Sequence, residues 1–236
     1  MADRVNEFGQ PIGWPVPDWT SCARPPQHPM IGRFCRVEPL DPEIHAEALF
    51  RAYQADPEGR LTTYMAWGPF ATRDAFDGFL RSYCATEDPF FHAIIDLETG
   101  QAVGMASFMR IDPRMGVIEV GGIWYSKHLQ RRPAATEAMA LMMRRAFDEL
   151  GYRRYEWKCD ALNAPSRAAA RRLGFQFEGI FRQALVYKGR NRDTAWFAVT
   201  DRDWPALRAG FERWLDPGNF DAAGGQRRAL ADLRDG

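Results

Sequence analysis

The chain has 236 residues, 46% of them apolar and 26% charged, with 31 lysines and arginines against 31 aspartates and glutamates. That length and apolar share suit one large domain with a sizeable core, and the charge balance argues against wholesale binding to nucleic acid or an anionic membrane. Cys22, Cys35, Cys84 and Cys159 are widely spaced with no CxxC pair, so neither a zinc site nor a disulfide framework is indicated and a reducing cytoplasm is the simplest setting. No basic start is followed by an apolar leader, and no apolar run approaches the about 18 residues that suggest a membrane span.

Residues 1–31 carry Pro11, Pro15, Pro17, Pro25, Pro26 and Pro29, with Trp14 and Trp19 between them. The prolines predict little regular structure, and the tryptophans predict an arm packed across a domain surface. Residues 32–200 then read as one domain. "RFCRVEPL" alternates like a strand, 44–54 has helical spacing, "RLTTYMAWGPF" is irregular, and 72–84 reads as a helix capped by Thr72. Strands follow at 90–97, 101–111 and 116–126, joined by the short links "ETG" and "DPRM" that favour antiparallel hairpins. A helix over 133–150 ends at Gly151, a strand covers 152–160, a helix over 164–173 stops at Gly174, and two strands close the domain. Residues 201–236 are expected to hold a helix, Trp204 to Trp214, and a partly mobile Gly-, Asp- and Arg-rich tail. The order predicts an α+β fold: a mixed, mainly antiparallel sheet of about seven strands flanked by helices, with a parallel pair only where the long helix crosses between strands.

The stretch "KHLQRRPAATEAM" places Lys127, Arg131 and Arg132 at a helix start. Free N–H groups and the helix dipole already make such an end positive, so added cations are unfavourable there unless an anion offsets them. A diphosphate fits several N–H groups in a row, Pro133 suits the first turn, and Ala134 and Ala135 let a ligand approach the backbone. A basic solvated helix start with no ligand is the competing reading. Met139, Met142 and Met143 lie on the helix's buried face and read as core. His28, His45, His92 and His128 have no ligand-like spacing, and no metal is expected.

With "GGIWYS" on a strand, "QRRPAA" at a helix start and "NAPSRAAARRLGF" over 163–175, the chain resembles the acetyl-CoA-binding core of the GNAT superfamily of N-acetyltransferases. The family pattern [QR]-x-x-G-x-[GA] falls on Gln130 to Ala135, with Pro133 replacing the first glycine, and Asn163 precedes Gly174 and Phe175 by the expected interval. Ser166 and the long closing strands are similar to the branch of ribosomal-protein N-terminal acetyltransferases of the Rim type. The resemblance implies strands splayed to hold acetyl-CoA. Backbone of Ile123, Trp124 and Tyr125 would pair with pantetheine, Gln130, Arg131, Arg132, Pro133, Ala134 and Ala135 would hold the diphosphate, and Asn163 and Ser166 would line the far side.

Acetyl transfer to an amine needs a base, a donor to the developing oxyanion and a proton for the thiolate. Glu119 interrupts the apolar strand "VIEVGGIWY" just before Gly121 and Gly122, which suit a bulge. It is the candidate base, or else a structural carboxylate paired with the arm or an arginine. The tyrosine that many family members use as general acid is replaced by Ala170, leaving Ser166, water or Tyr125 for that role. Tyr64, Trp67 and Phe70 are candidate walls of the acceptor site, with packing as the alternative. The expected activity is N-acetylation of a primary amine, on a protein N-terminus or a small molecule. A non-catalytic acyl-CoA-binding module is the alternative, no nucleic-acid partner is expected, and a homodimer is left open.

Overall fold

The computed structural model describes residues 4–84, 86–222 and 224–234; the first three residues of the arm, the last two of the tail and the side chain of Cys84 lie outside the description. Eight strands form a single sheet: β1 (Met30–Ile31), β2 (Cys35–Pro39), β3 (Phe90–Asp96), β4 (Gln101–Asp112), β5 (Val117–Tyr125), β6 (Arg154–Asp160), β7 (Gln176–Tyr187) and β8 (Arg190–Thr200). Their order is β1-β2-β3-β4-β5-β6-β8-β7. Every pair is antiparallel except β5 with β6. The strand beyond the expected seven is β1, whose two residues pair with Val37 and Arg36. Flanked by Pro29 and Gly32, so short a segment shows no alternation for a sequence reading to detect.

The helices are α1 (Pro42–Tyr53), α2 (Arg73–Cys84), α3 (Pro133–Arg144), α4 (Ala164–Arg172), α5 (Trp204–Leu215) and α6 (Leu230–Arg234). The start of α1 lies before the expected residue 44, because Asp41 accepts from Glu43 N at 2.9 Å and Pro42 suits the first turn. Thr72 caps α2 as expected, accepting from Ala75 N at 3.2 Å. Past Arg144, α3 widens into a π turn over Arg145–Glu149, which ends at left-handed Gly151 (φ 71°). No helix among the described residues is long and apolar enough to cross a membrane.

Alternation along the strands divides the core between two faces. Phe91, Ala93, Ile95, Met105 and Trp124 meet α1 and α2. On the other face Ile94, Ala106, Phe108, Ile118 and Val120 meet α3 and α5, each side chain of this size contributing about 1.5–3 kcal/mol when fully buried. The arm runs along the loops at one end of β5 and β6. There Trp19 Nε1 donates to Arg114 O at 2.8 Å, Cys22 N to Pro113 O at 3.0 Å, and Tyr152 Oη to Ala23 O at 3.1 Å. After α5 the chain turns back so that Leu230 and Leu233 are buried. The outer edge of β7 is open and carries exposed Phe177, Ile180, Phe181, Leu185 and Val186.

Glu137 ties α3 to the start of the sheet. Its buried carboxylate accepts from Arg33 N (2.7 Å), Phe34 N (2.6 Å) and Cys35 N (2.8 Å). A Cβ on Gly32 would lie 2.4 Å from that carboxylate, so the turn requires glycine. Glu137→Gln puts an amide donor against these N–H groups, and urea denaturation is expected to show a loss of about 2–4 kcal/mol.

Candidate active site

β5 and β6 pair only from Val117↔Arg154 to Val120↔Trp157, although β5 continues to Tyr125 and β6 to Asp160. A bulge lies at the point of parting. Between Met105↔Trp124 and Ser107↔Gly121, β5 has one residue more than β4. Gly122 has φ 58°, and a Cβ there would come 2.6 Å from Phe91 Cζ, so backbone angle and space both require glycine. Ser107 Oγ steadies the bulge by donating to Gly121 O at 3.0 Å. Beyond it, the edge of Ile123, Trp124 and Tyr125 that would face β6 has no partner strand among the described residues, leaving main-chain donors and acceptors for a ligand.

The gap leads to the start of α3. Arg132 is its N-cap residue and supplies no side-chain cap, and Arg131 sits at φ 61°. The Arg132 guanidinium is occupied by Asp96, at 2.8 Å, and by Glu98. By contrast, Lys127 and Arg131 are exposed and have no partner among the described residues. Gln130 Nε2 donates to Tyr125 O at 2.8 Å, and Tyr125 Oη donates to Ala135 O at 3.1 Å. Burial, reinforced by Cys35, pushes the Tyr125 phenol far above its ordinary pKa, so this hydroxyl serves as an anchor for the helix start. Pro133 occupies the first turn, and Ala134 is buried against the core.

Asn163 caps α4, its Oδ1 accepting from Ser166 N at 3.1 Å. Ser166 Oγ accepts from Trp157 Nε1 at 3.0 Å, and its hydroxyl hydrogen faces the thiol of Cys159. Nearby Cys159 has its thiol pKa raised by burial, with the Ser166 hydrogen bond opposing the rise. Ala170 is fully buried and brings no polar group to the gap.

The opposite face of the sheet holds a charged chain. Glu119 is 3% exposed and stands beside Glu156 in the parallel register. Lys158 Nζ bridges them, 2.8 Å from Glu119 Oε2 and 2.6 Å from Glu156 Oε2, and lies 3.9 Å from the centre of the Trp196 ring. Arg110 reaches Glu119 Oε2 at 2.8 Å, while Arg154 joins Glu156 at 2.6 Å and Glu178 at 2.8 Å. Burial alone would raise the Glu156 pKa, but the hydrogen bonds from Lys158 and Arg154 outweigh it and hold the carboxyl below its ordinary value. Both cations on Glu119 use Oε2; Oε1 lies toward the bulge, 3.4 Å from where a Gly121 Cβ would be. The arginine pairing that the sequence left as an alternative for Glu119 is therefore present, together with a lysine that no motif announced.

The wall of this face comes from the α1–α2 connection. Trp67 is buried, stacks on Phe70 at 6.0 Å and meets Phe79 at 4.7 Å; Phe70 N donates to Tyr53 Oη at 2.8 Å. Tyr64, on the same connection, is half-exposed. The β7–β8 turn reaches across to the same connection, Lys188 Nζ donating to Thr62 O and Arg190 Nη2 to Thr63 O, each at 2.9 Å. Among the described residues no group of His, Cys, Asp and Glu is placed to hold a metal ion.

Residues 35–176 match the family model described as an acetyltransferase (GNAT) domain. A GCN5-related N-acetyltransferase from Brucella melitensis is 48% identical in sequence, with TM-score 0.91 over 93% of this chain and 100% of that one. A probable GNAT-family acetyltransferase from Chromobacterium violaceum is 39% identical, with TM-score 0.78 over 83% and 98%. In sequence alone, the putative ribosomal N-acetyltransferase YdaF of Bacillus subtilis is 30% identical over 46% of this chain and 58% of its own length.

Removing Lys158 would leave two buried carboxylates abreast. Lys158→Met is expected to lose about 3–5 kcal/mol in urea denaturation, and adding Glu156→Gln to recover part of that loss.

Proposed function

The chain belongs to the GNAT acetyltransferase family and is an acyltransferase, and on that premise we propose that it transfers acetyl from acetyl-CoA to a primary amine by direct attack on the thioester. The parting of β5 and β6 at Val120 and Trp157 carries this reading. The residues present fit acetyl-CoA: an unpaired strand edge suits the pantetheine amides, and an uncapped helix start with exposed cations suits phosphates. Ile123, Trp124 and Tyr125 are proposed to offer the main-chain edge. Gln130 to Ala135 are proposed to surround the diphosphate, with Arg131 as the free cation and Arg132 holding the loop in place through Asp96 and Glu98. Asn163 and Ser166 would line the other side.

Acetyl-CoA supplies the acetyl group as an activated thioester. Glu119 is proposed as the base that receives the amine proton, at Oε1 or through water, since Oε2 is taken by Lys158 and Arg110. Ser166 is proposed to donate to the departing sulfur, its oxygen fixed by Trp157 and its hydroxyl hydrogen turning from the weak acceptor Cys159. Tyr64, Trp67 and Phe70 would form the acceptor wall. A protein N-terminus is one acceptor class, supported by the Rim-type likeness of the Asn163 to Phe175 segment and by the name of the Bacillus subtilis relative; a small amine is the other.

Isothermal titration with acetyl-CoA, CoA and 3′-dephospho-CoA tests the cofactor site. Acetyl-CoA is expected to bind, and Arg131→Ala to weaken it by about tenfold; absence of binding refutes the reading. For the chemistry, Glu119→Gln should lower kcat by about 100-fold or more while acetyl-CoA affinity holds. An unchanged kcat would assign Glu119 to the ion-pair chain alone.

A further inference from the structure

The charged row on the acceptor face ends in a carboxylate with a different environment. Along β6, Glu156, Lys158 and Asp160 share one face, because successive strand residues alternate sides. Glu156 and Glu119 are matched by Lys158, Arg154 and Arg110. Asp160 is equally buried, at 4% exposure, yet forms no ion pair among the described residues. Its Oδ1 accepts from Leu162 N at 2.8 Å and its Oδ2 from Tyr187 Oη at 2.7 Å. Arg192, the cation of the adjoining strand on this side, directs Nε to Thr194 Oγ1 at 3.1 Å, and Arg190 is held on Thr63 O.

Position adds to the charge argument. Carried on from Val120↔Trp157, the parallel register would set Asp160 across the gap from Ile123, beyond the point where the strands part. The same stretch is bounded by the β7–β8 turn, which supplies Tyr187 and is pinned to the α1–α2 connection by Lys188 and Arg190. A buried carboxylate is costly without a counter-charge, and two neutral donors offset only part of that cost. An amine acceptor arrives mainly as an ammonium ion at neutral pH, and so brings the missing charge.

We propose that Asp160, held by Tyr187 and the Leu162 amide at the mouth of the β5–β6 gap, is the subsite that receives the ammonium group of the acceptor. This rests on the amine-transferase reading above and deepens it by assigning the acceptor's charge to one residue. Glu119, already saturated at Oε2, takes no part in this first capture. The acceptor is then a cationic primary amine, and a neutral hydroxyl compound of similar shape forgoes the ion pair with Asp160.

Asp160→Asn tests the assignment, because the amide is isosteric and can keep both hydrogen bonds if the Tyr187 hydroxyl turns to accept. Thiol release from acetyl-CoA would be followed with a short serine-initiated peptide, spermidine and tyramine, alongside titration calorimetry with acetyl-CoA and thermal unfolding. For each amine used by the wild-type protein, kcat/KM should fall about 30-fold or more, mainly through KM. Acetyl-CoA affinity should stay within about twofold, and Tm should hold or rise. An amine kcat/KM close to wild type overturns the proposal. So does a joint loss of acetyl-CoA affinity and Tm, which would make Asp160 part of the scaffold. Failure of the wild-type protein to bind acetyl-CoA, or to release thiol with any of the amines, instead overturns the transferase reading, and this proposal with it.

Discussion

Glu119 and Glu156 stand abreast in a parallel strand pair, both buried, and the middle of the sheet depends on how that repulsion is relieved. Like charges opposite one another are destabilising, and Lys158 relieves them from one residue past the end of the pairing. Its ammonium nitrogen lies over the ring of Trp196 on β8, a cation–π contact that adds to the ion pairs. The chain of charges continues outward to Arg110 on one side and to Arg154 and Glu178 on the other. Six alternating charges therefore connect four strands across the place where two of them separate, and the network closes with no net charge.

Separation of β5 from β6 has a cause on the far side of β5. The extra residue at Gly121 to Ile123 turns the strand away from its parallel neighbour while β4 keeps hold of it. Phe91 leaves no room for a side chain at Gly122. The helix that follows is fixed through its first two turns: Tyr125 and Arg132 hold its start, and Glu137 binds it to the β1–β2 turn. The ligand-facing edge is consequently mounted on rigid parts, and the arm, lying at the opposite end of β5 and β6, leaves it uncovered.

Much of this was legible in the chain itself. Apart from the two-residue β1 and the short α6, the helices and strands emerged from apolar periodicity and turn signals, and the Glu119-Gly121-Gly122 run identified the bulge because glycines in an apolar strand have few other uses. The gap was expected only through the family resemblance that the "QRRPAA" and "NAPSR" segments carry. The division of labour between Arg131 and Arg132 was not, since adjacent arginines look alike until Asp96 and Glu98, distant in sequence, claim one of them. Lys158 and Asp160 were equally silent: "YEWKCD" reads simply as a strand with polar alternation, and the ion pairs of Lys158 and the Tyr187 hydrogen bond of Asp160 arise only from the register with β5 and the fold of the β7–β8 turn. Trp67 and Phe70 were visible as loop aromatics, while their place in a ring cluster with Phe79 and Tyr53 required the tertiary structure.

The two rims of the sheet differ sharply. One is closed off by β1, a strand of two residues; the other is the twelve-residue β7, with five exposed apolar side chains. A rim so short gives a neighbouring chain almost nothing to pair with. Growth of the sheet by addition of strands is thus one-sided. Two molecules meeting through their β7 rims would bury both open edges and present only β1 outward, so such an association is self-limiting and carries no route to filaments.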